Sequence, residues 1–156
     1  MRNWLITVAC AAGIILGATA CSSSSSSTAA SPAAAPATTQ ASSPAAAGQA
    51  LVDALGRTLY LFEADKTGTS ACTGACAAAW PPVTVTGTPQ AGSGVSRSLL
   101  GTIKRADGTM QLTYNGHPLY YFAGDSGTGA AHGQGSKAFG AGWYVVNASG
   151  AKIDTD

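Results

Sequence analysis

A pattern that occurs twice, sixty positions apart, restricts this fold more than any other feature of the chain. Its copies are Tyr60-Leu61-Phe62-Glu63-Ala64-Asp65 and Tyr120-Tyr121-Phe122-Ala123-Gly124-Asp125. Each is Tyr-x-Phe-x-x-Asp, each follows a Leu (Leu59, Leu119), and each has a Gly four residues before the Tyr (Gly56, Gly116). A shift of sixty places residues 52–68 on residues 112–128 without a gap, and Trp80 then matches Trp143 after a short insertion in the second copy. An ordered series of Gly, Leu, Tyr, Phe and Asp at fixed offsets is the mark of an internal duplication of one supersecondary unit. The repeats run over roughly 51–85 and 111–147.

The unit reads as a β-hairpin. Asn115-Gly116 lies between two strand-like runs, and Asn-Gly readily adopts the positive φ values of a two-residue hairpin turn. Leu55-Gly56 takes the same place in the first copy, with Gly supplying the left-handed residue. After each turn, alternation sends Leu59 and Leu61 to one face of the strand and Tyr60 and Phe62 to the other. Both faces are apolar, which predicts a strand covered on both sides, with each Tyr hydroxyl finding a partner. Asp65 and Asp125 stand just past the strand ends. They fit either a cap on the backbone N–H groups of the following turn or a Tyr–Asp hydrogen bond, a cation site or a ligand contact.

Further along, residues 71–79 are Ala-rich with Ser70 in front as N-cap, so a short helix is expected there, ended by Pro81-Pro82. Residues 83–86, 99–105, 110–114 and 118–122 read as strands, with glycine turns at Asp107-Gly108 and Asn115-Gly116. Residues 124–142 form a long Gly-rich loop, and residues 143–147 and 151–153 close the chain. The expected fold is all-β, an antiparallel meander of hairpins built from two tandem repeats with one short helix near Cys72–Trp80.

These elements resemble a family of secreted bacterial lipoproteins defined by a tandem repeat with a Tyr-x4-Asp motif, whose function is largely unknown. The resemblance rests on the repeat, on Cys72-Thr-Gly-Ala-Cys76-Ala before Trp80-Pro81-Pro82, and on Arg105-Ala-Asp-Gly108. It extends over Tyr114-Asn-Gly-His-Pro-Leu-Tyr120, Gly133-Gln-Gly135 and Gly142-Trp-Tyr-Val-Val146. The resemblance implies family membership and carries no catalytic residues.

The N-terminus reads as an export signal over residues 1–20. Arg2 supplies a positive charge, residues 4–16 are apolar, and Ala18-Thr19-Ala20-Cys21 follows. A Cys directly after small residues looks like a bacterial lipobox, with Cys21 as the acylated residue; the departure is Ala18, where the usual pattern has Leu. Acyl chains on Cys21 would anchor the protein to a membrane from outside the cytoplasm, firmly only if there is more than one. Residues 21–48 add a Ser/Ala/Pro/Thr stretch without charge or large apolar side chains. Such a stretch cannot offset the entropy of ordering it and reads as a disordered tether. The domain proper is residues 49–156. Its acids and bases balance, to a net charge of +1 for the chain, and no basic cluster suits a nucleic acid.

Four residues are candidates for chemistry. Cys72 and Cys76 are the two cysteines left after Cys10 and Cys21, and outside the cytoplasm such a pair usually forms a disulfide. The sharper reading joins them to His117 and His132 as zinc or copper ligands, or treats them as a reactive thiol pair. Covalent haem is disfavoured, because the spacing is Cys-x3-Cys and Ala77 stands where His is needed. The Gly-rich run around His132 lacks the Lys of a phosphate loop, and Asp125-Ser-Gly-Thr-Gly lacks the dense oxygen ligands of calcium sites. Glu63 and Asp65 could be drawn as paired carboxylates. Trp80, Trp143 and the tyrosines fit a core better than a sugar platform. No nucleophile–base set stands at recognisable spacing. The sequence therefore reads as a membrane-anchored, non-enzymatic envelope binding module that needs no cofactor. The alternative is a metal- or redox-linked protein using Cys72, Cys76, His117 and His132.

Overall fold

The computed structural model describes residues 38–42, 50–66 and 68–154. Eight short strands make up most of the regular structure there: β1 (Thr38–Ser42), β2 (Ala50–Asp53), β3 (Tyr60–Phe62), β4 (Gln90–Ala91), β5 (Leu100–Lys104), β6 (Met110–Tyr114), β7 (His117–Pro118) and β8 (Trp143–Val145). They form the sheets β2-β1-β4, β3-β8 and β5-β6-β7. Every pairing is antiparallel except β1 with β4. Isolated bridges such as Tyr60↔Tyr120 and Pro82↔Tyr120 stitch the sheets together. The all-β expectation holds.

The two repeats are interwoven. Leu59 N–H donates to Leu51 C=O, and Leu119 N–H to Leu112 C=O, each at 3.0 Å, which closes one hairpin per repeat. The third segment on each hairpin comes from the other repeat. Leu51 N–H donates to Val146 C=O and Leu112 N–H to Val83 C=O, both at 2.8 Å; Val146 and Val83 donate back to Leu59 and Leu119. Val83 and Val146 each stand three residues after their Trp. Each repeat thus ends by donating its Trp-x-x-Val segment to the other's hairpin, about a local two-fold axis.

The hairpins differ by one residue in the turn. Asn115-Gly116 forms the expected two-residue loop, with φ of 50° and 80°. The first turn is longer: Asp53 N–H donates to Arg57 C=O at 3.0 Å across Ala54, Leu55 and Gly56, with Gly56 at φ 78°. This is the three-residue loop with a left-handed glycine. Asp53 selects it, because its Oδ1 accepts from both Leu55 N–H (2.9 Å) and Arg57 N–H (3.0 Å). The gapless overlay therefore fails before Gly56, and Leu51, not Val52, is the partner of Leu112.

Two apolar clusters lie on the two faces of β3. Leu59 and Leu61 join Leu51, Val83, Leu112, Leu119 and Val146 in one. Tyr60 and Phe62 join Trp80, Tyr120, Trp143 and the two cysteines in the other.

Two further expectations change. The helix, α1, is shorter than read from sequence, spanning Ala75–Ala79 behind Gly74 without a side-chain cap. Ser70 is not its N-cap; that hydroxyl is engaged by Tyr120 and Arg105. Thr38–Ser42, within the presumed tether, forms β1 between β2 and β4. An uncharged stretch with β-branched Thr38 and Thr39 can take an extended backbone, and the ladder supplies hydrogen bonds that its side chains need not.

Because each hairpin lacks its third segment without the other repeat, a chain ending at Gly94 is expected to be unfolded by circular dichroism. A cooperative thermal transition in that half alone would contradict the interwoven arrangement.

Candidate functional site

The two motifs meet at their tyrosines. Tyr60 N–H donates to Tyr120 C=O and Tyr120 N–H to Tyr60 C=O, both at 2.9 Å, which puts the local two-fold axis between them. Their side chains then cross. Tyr60 hydroxyl donates to Asp125 Oδ2 and Tyr120 hydroxyl to Asp65 Oδ2, each at 2.7 Å. The other carboxylate oxygens hold the following loops: Asp125 Oδ1 accepts from His132 N–H at 2.8 Å, and Asp65 Oδ1 from Ala71 N–H at 2.7 Å. Loop capping and Tyr–Asp bonding coexist, and the pairing is between repeats. Burial, and then the carboxylate beside each hydroxyl, pushes both tyrosines far above their ordinary range, with Ser70 opposing this at Tyr120. Burial also raises Asp65, against the hydrogen bonds from Ala71 and Tyr120 and the charge of Arg105.

The rings repeat the symmetry. Trp80 and Trp143 stack across the axis at 3.9 Å and 7°. Phe62 lies on Trp143 at 4.1 Å and Phe122 on Trp80 at 4.4 Å. Tyr60 meets Trp80 edge-on at 5.3 Å, and Tyr120 meets Trp143 at 5.2 Å. Trp80 and Trp143 are buried core, as are both motif tyrosines. The Gly-rich loop closes this stack: a Cβ at Gly133 would lie 2.5 Å from the Trp80 ring, so the glycine there serves close packing on an aromatic face.

The remaining candidates separate. Cys72 and Cys76 form a disulfide with Cα atoms 5.2 Å apart, within the range a bridge requires. Cys72 lies before α1 and Cys76 within it. His132 keeps an exposed ring with Nδ1 3.4 Å from Asp125 Oδ1, whereas His117 shares a recess with Asp65. The four-ligand set is not brought together, and among the described residues no group of three or more His, Cys, Asp or Glu could hold a metal ion. Glu63 and Asp65 diverge as well, Glu63 to Lys152 at 3.0 Å and Asp65 to Tyr120. Cys21 lies outside the described residues.

Sequence reading gave no role to Arg105. It is buried, and its guanidinium donates to Gln111 Oε1 (2.6 Å), Ser70 Oγ (2.7 Å) and Cys72 C=O (2.8 Å). It ties the end of β5 to the disulfide loop and to the Ser70 that contacts Tyr120. Its place in Arg105-Ala-Asp-Gly108, just before a turn, suggests a solvated charge, and no local pattern distinguishes the two.

Where the motif approaches solvent it forms two recesses of nearly equal size. One, about 280 Å³, is lined by Arg57, Tyr121, Phe122 and Asp125. The other, about 270 Å³, is lined by His117, Leu61, Phe62 and Asp65, with Glu63 and Lys152 at its edge. The local two-fold relates them: each combines the Phe and Asp of one motif with the basic residue that follows the turn glycine of the other repeat.

The model of a protein family described as a secreted repeat of unknown function matches residues 43–84 and 101–147, once on each repeat and over more than half of the chain. This protein belongs to that secreted-repeat family. The family is secreted, which places the domain outside the cytoplasm, where a disulfide is at home. No curated protein and no solved structure matches the chain. Among the described residues of this secreted repeat no helix is long and apolar enough to cross a membrane.

A double-mutant cycle tests the crossed pairing. Tyr60→Phe is expected to cost about 1–3 kcal/mol in urea denaturation, because it leaves a carboxylate oxygen short of its donor. Its coupling with Asp125→Asn should reach about 0.5–3 kcal/mol, while coupling with Asp65→Asn, in its own repeat, should be much smaller. The reverse ranking would refute the cross-repeat assignment.

Proposed function

We propose that this secreted repeat is a lipid-anchored, non-enzymatic binding module of the cell envelope, and that its paired recesses are its ligand-contacting surfaces. The observation that carries this reading is the crossed pairing itself. The buried motif hydroxyls donate to half-buried carboxylates of the other repeat, so the motif acts as framework. Buried tyrosines held far above their ordinary pKa are poor bases and poor nucleophiles. What the framework presents to solvent is the pair of recesses, each offering an aromatic edge, a carboxylate and a cation. Phe139 adds an exposed ring on the Gly-rich loop, held in the left-handed region at φ 61°, a conformation rare enough for a bulky residue to mark a surface of interest.

Anchoring rests on the sequence around Cys21. Chain geometry limits the reach from Cys21 to β1 to about 60 Å, so the domain would work close to the lipid surface. The alternative centre at Cys72, Cys76, His117 and His132 draws no support from the geometry. The two sulfurs are joined, and the two histidines flank different aspartates.

Two measurements test the proposal. Expressed in a bacterial host, the wild-type chain should sediment with membranes and move into the detergent phase, and Cys21→Ala should release it in soluble form; equal partitioning of both would refute the anchor. In ¹⁵N-resolved NMR titrations with soluble envelope glycan and peptide fragments, shifts should gather in matched sets around Arg57/Asp125 and His117/Asp65, with the fragments recovered unchanged. Shifts confined elsewhere, or a cleaved fragment, would overturn the binding-module reading.

A further inference from the structure

The aromatic interior has a property that packing does not require. A core needs rings; it does not need two buried phenols each placed 2.7 Å from a carboxylate oxygen. Indole and phenol are the side-chain rings most readily oxidised by one electron. A phenol at neutral pH loses that electron only if its proton has somewhere to go, because the radical cation is a strong acid. Here each tyrosine has a carboxylate acceptor along an existing hydrogen bond. Each also meets a tryptophan edge-on at 5.2–5.3 Å, and the two tryptophans are stacked at 3.9 Å. Stacked indoles share a positive charge over both rings, and contacts this short favour electron exchange.

We propose that Tyr60, Trp80, Trp143 and Tyr120 form a redox-active unit that accepts an electron hole from a one-electron oxidant and holds it as a neutral tyrosyl radical. In the first step an oxidant of the peroxyl-radical class removes one electron from the tryptophan pair, and solvent protonates the reduced oxidant to the hydroperoxide. In the second, Tyr60 returns one electron to the indoles while its hydroxyl proton moves to Asp125 Oδ2. The protein has then lost one electron, the proton stays on the aspartate, and no covalent bond other than O–H is broken or formed. A reductant of the thiolate class restores the phenol by giving up one electron and leaving as a thiyl radical, with the proton returning to the phenol oxygen from Asp125.

Two features support this use. Phe122 contacts Trp80 at 4.4 Å and lines the recess beside Arg57, giving a short route inward for the hole through a ring that is not itself oxidised. The exposed His132 ring lies 3.4 Å from Asp125 Oδ1, the acceptor's side facing water. Tyr120 has the same arrangement toward Asp65, with Ser70 as an additional contact at 2.7 Å. The unit is independent of the disulfide, whose sulfurs take no part.

The test is flash oxidation of the full chain by a photogenerated ruthenium(III) tris-bipyridine complex, followed by transient absorption and freeze-quenched electron paramagnetic resonance. The wild type should show an indole radical that converts to a neutral tyrosyl radical, more slowly in D₂O than in H₂O. Tyr60→Phe with Tyr120→Phe should lose the tyrosyl signal and leave a longer-lived indole radical, its fold checked by a cooperative melt. An undiminished tyrosyl signal in that variant would place the hole on Tyr114, Tyr121 or Tyr144 and overturn the assignment. So would an indole radical that never converts in the wild type, or a conversion unaffected by D₂O. The last two readouts need no substitution, so the proposal is decided even if the double variant fails to fold.

Discussion

Exchange between the repeats is the constraint on which the rest of this structure depends. Each hairpin is finished by the Trp-x-x-Val segment of the other copy, and each tyrosine hydroxyl reaches the other copy's aspartate. Exchange at the backbone places Trp80 against Trp143 on the axis. That dyad sets where Phe62 and Phe122 can lie, and the two tyrosines fill the remaining edges. A repeat with one apolar hairpin of two to five residues per strand has too little surface to bury on its own. Interweaving two copies covers both faces of β3 and lets short strands yield a two-layered core.

Burying two phenol hydroxyls against two half-buried carboxylates is tolerable because they are matched. A phenol donates once and a carboxylate accepts several times. Each Asp uses one oxygen for the tyrosine and the other for a loop N–H. The same carboxylates therefore secure the interior and pin residues 71 and 132, where the chain leaves the motif. Arg105 extends this polar frame to the disulfide loop through Ser70 and Cys72. A buried guanidinium is costly unless its N–H groups are engaged, and three hydrogen bonds of 2.6–2.8 Å meet most of that demand.

Much of this was legible in the sequence because it is local. Alternation at Leu59, Tyr60, Leu61 and Phe62 gave the two faces, and Asn115-Gly116 gave its turn. The duplication announced the family, and cysteine spacing outside the cytoplasm pointed to a disulfide. What was not legible is what depends on distant partners. Nothing in Tyr60-Leu61-Phe62-Glu63-Ala64-Asp65 tells whether the Tyr serves its own Asp or the one sixty residues away. The longer first turn was hidden because Asp53 selects it with a side-chain oxygen that accepts two backbone N–H groups. Composition marks Thr38–Ser42 as tether, since backbone pairing with β2 and β4 leaves no trace in side-chain hydropathy. Ser70 read as a helix cap because its use by Tyr120 and Arg105 is non-local.

The two copies have not diverged evenly, and where they differ is informative. Equivalent positions of the shared frame are identical: Leu51 with Leu112, Leu59 with Leu119, Tyr60 with Tyr120, Phe62 with Phe122, Asp65 with Asp125, Trp80 with Trp143 and Val83 with Val146. Beside the shared Phe and Asp, the other equivalent positions around the recesses differ: Arg57 against His117, Leu61 against Tyr121, and Glu63 against Ala123. Packing accounts for the identities, because a change to one member of a stacked or crossed pair must suit a partner of the same type. It does not account for the differences. In one recess Arg57 lies over Tyr121 at 3.9 Å and pairs with Asp53, while in the other Lys152 bridges Glu63 and Asp154. The frame thus imposes two-fold symmetry inside while leaving chemically distinct surfaces at equivalent outer positions.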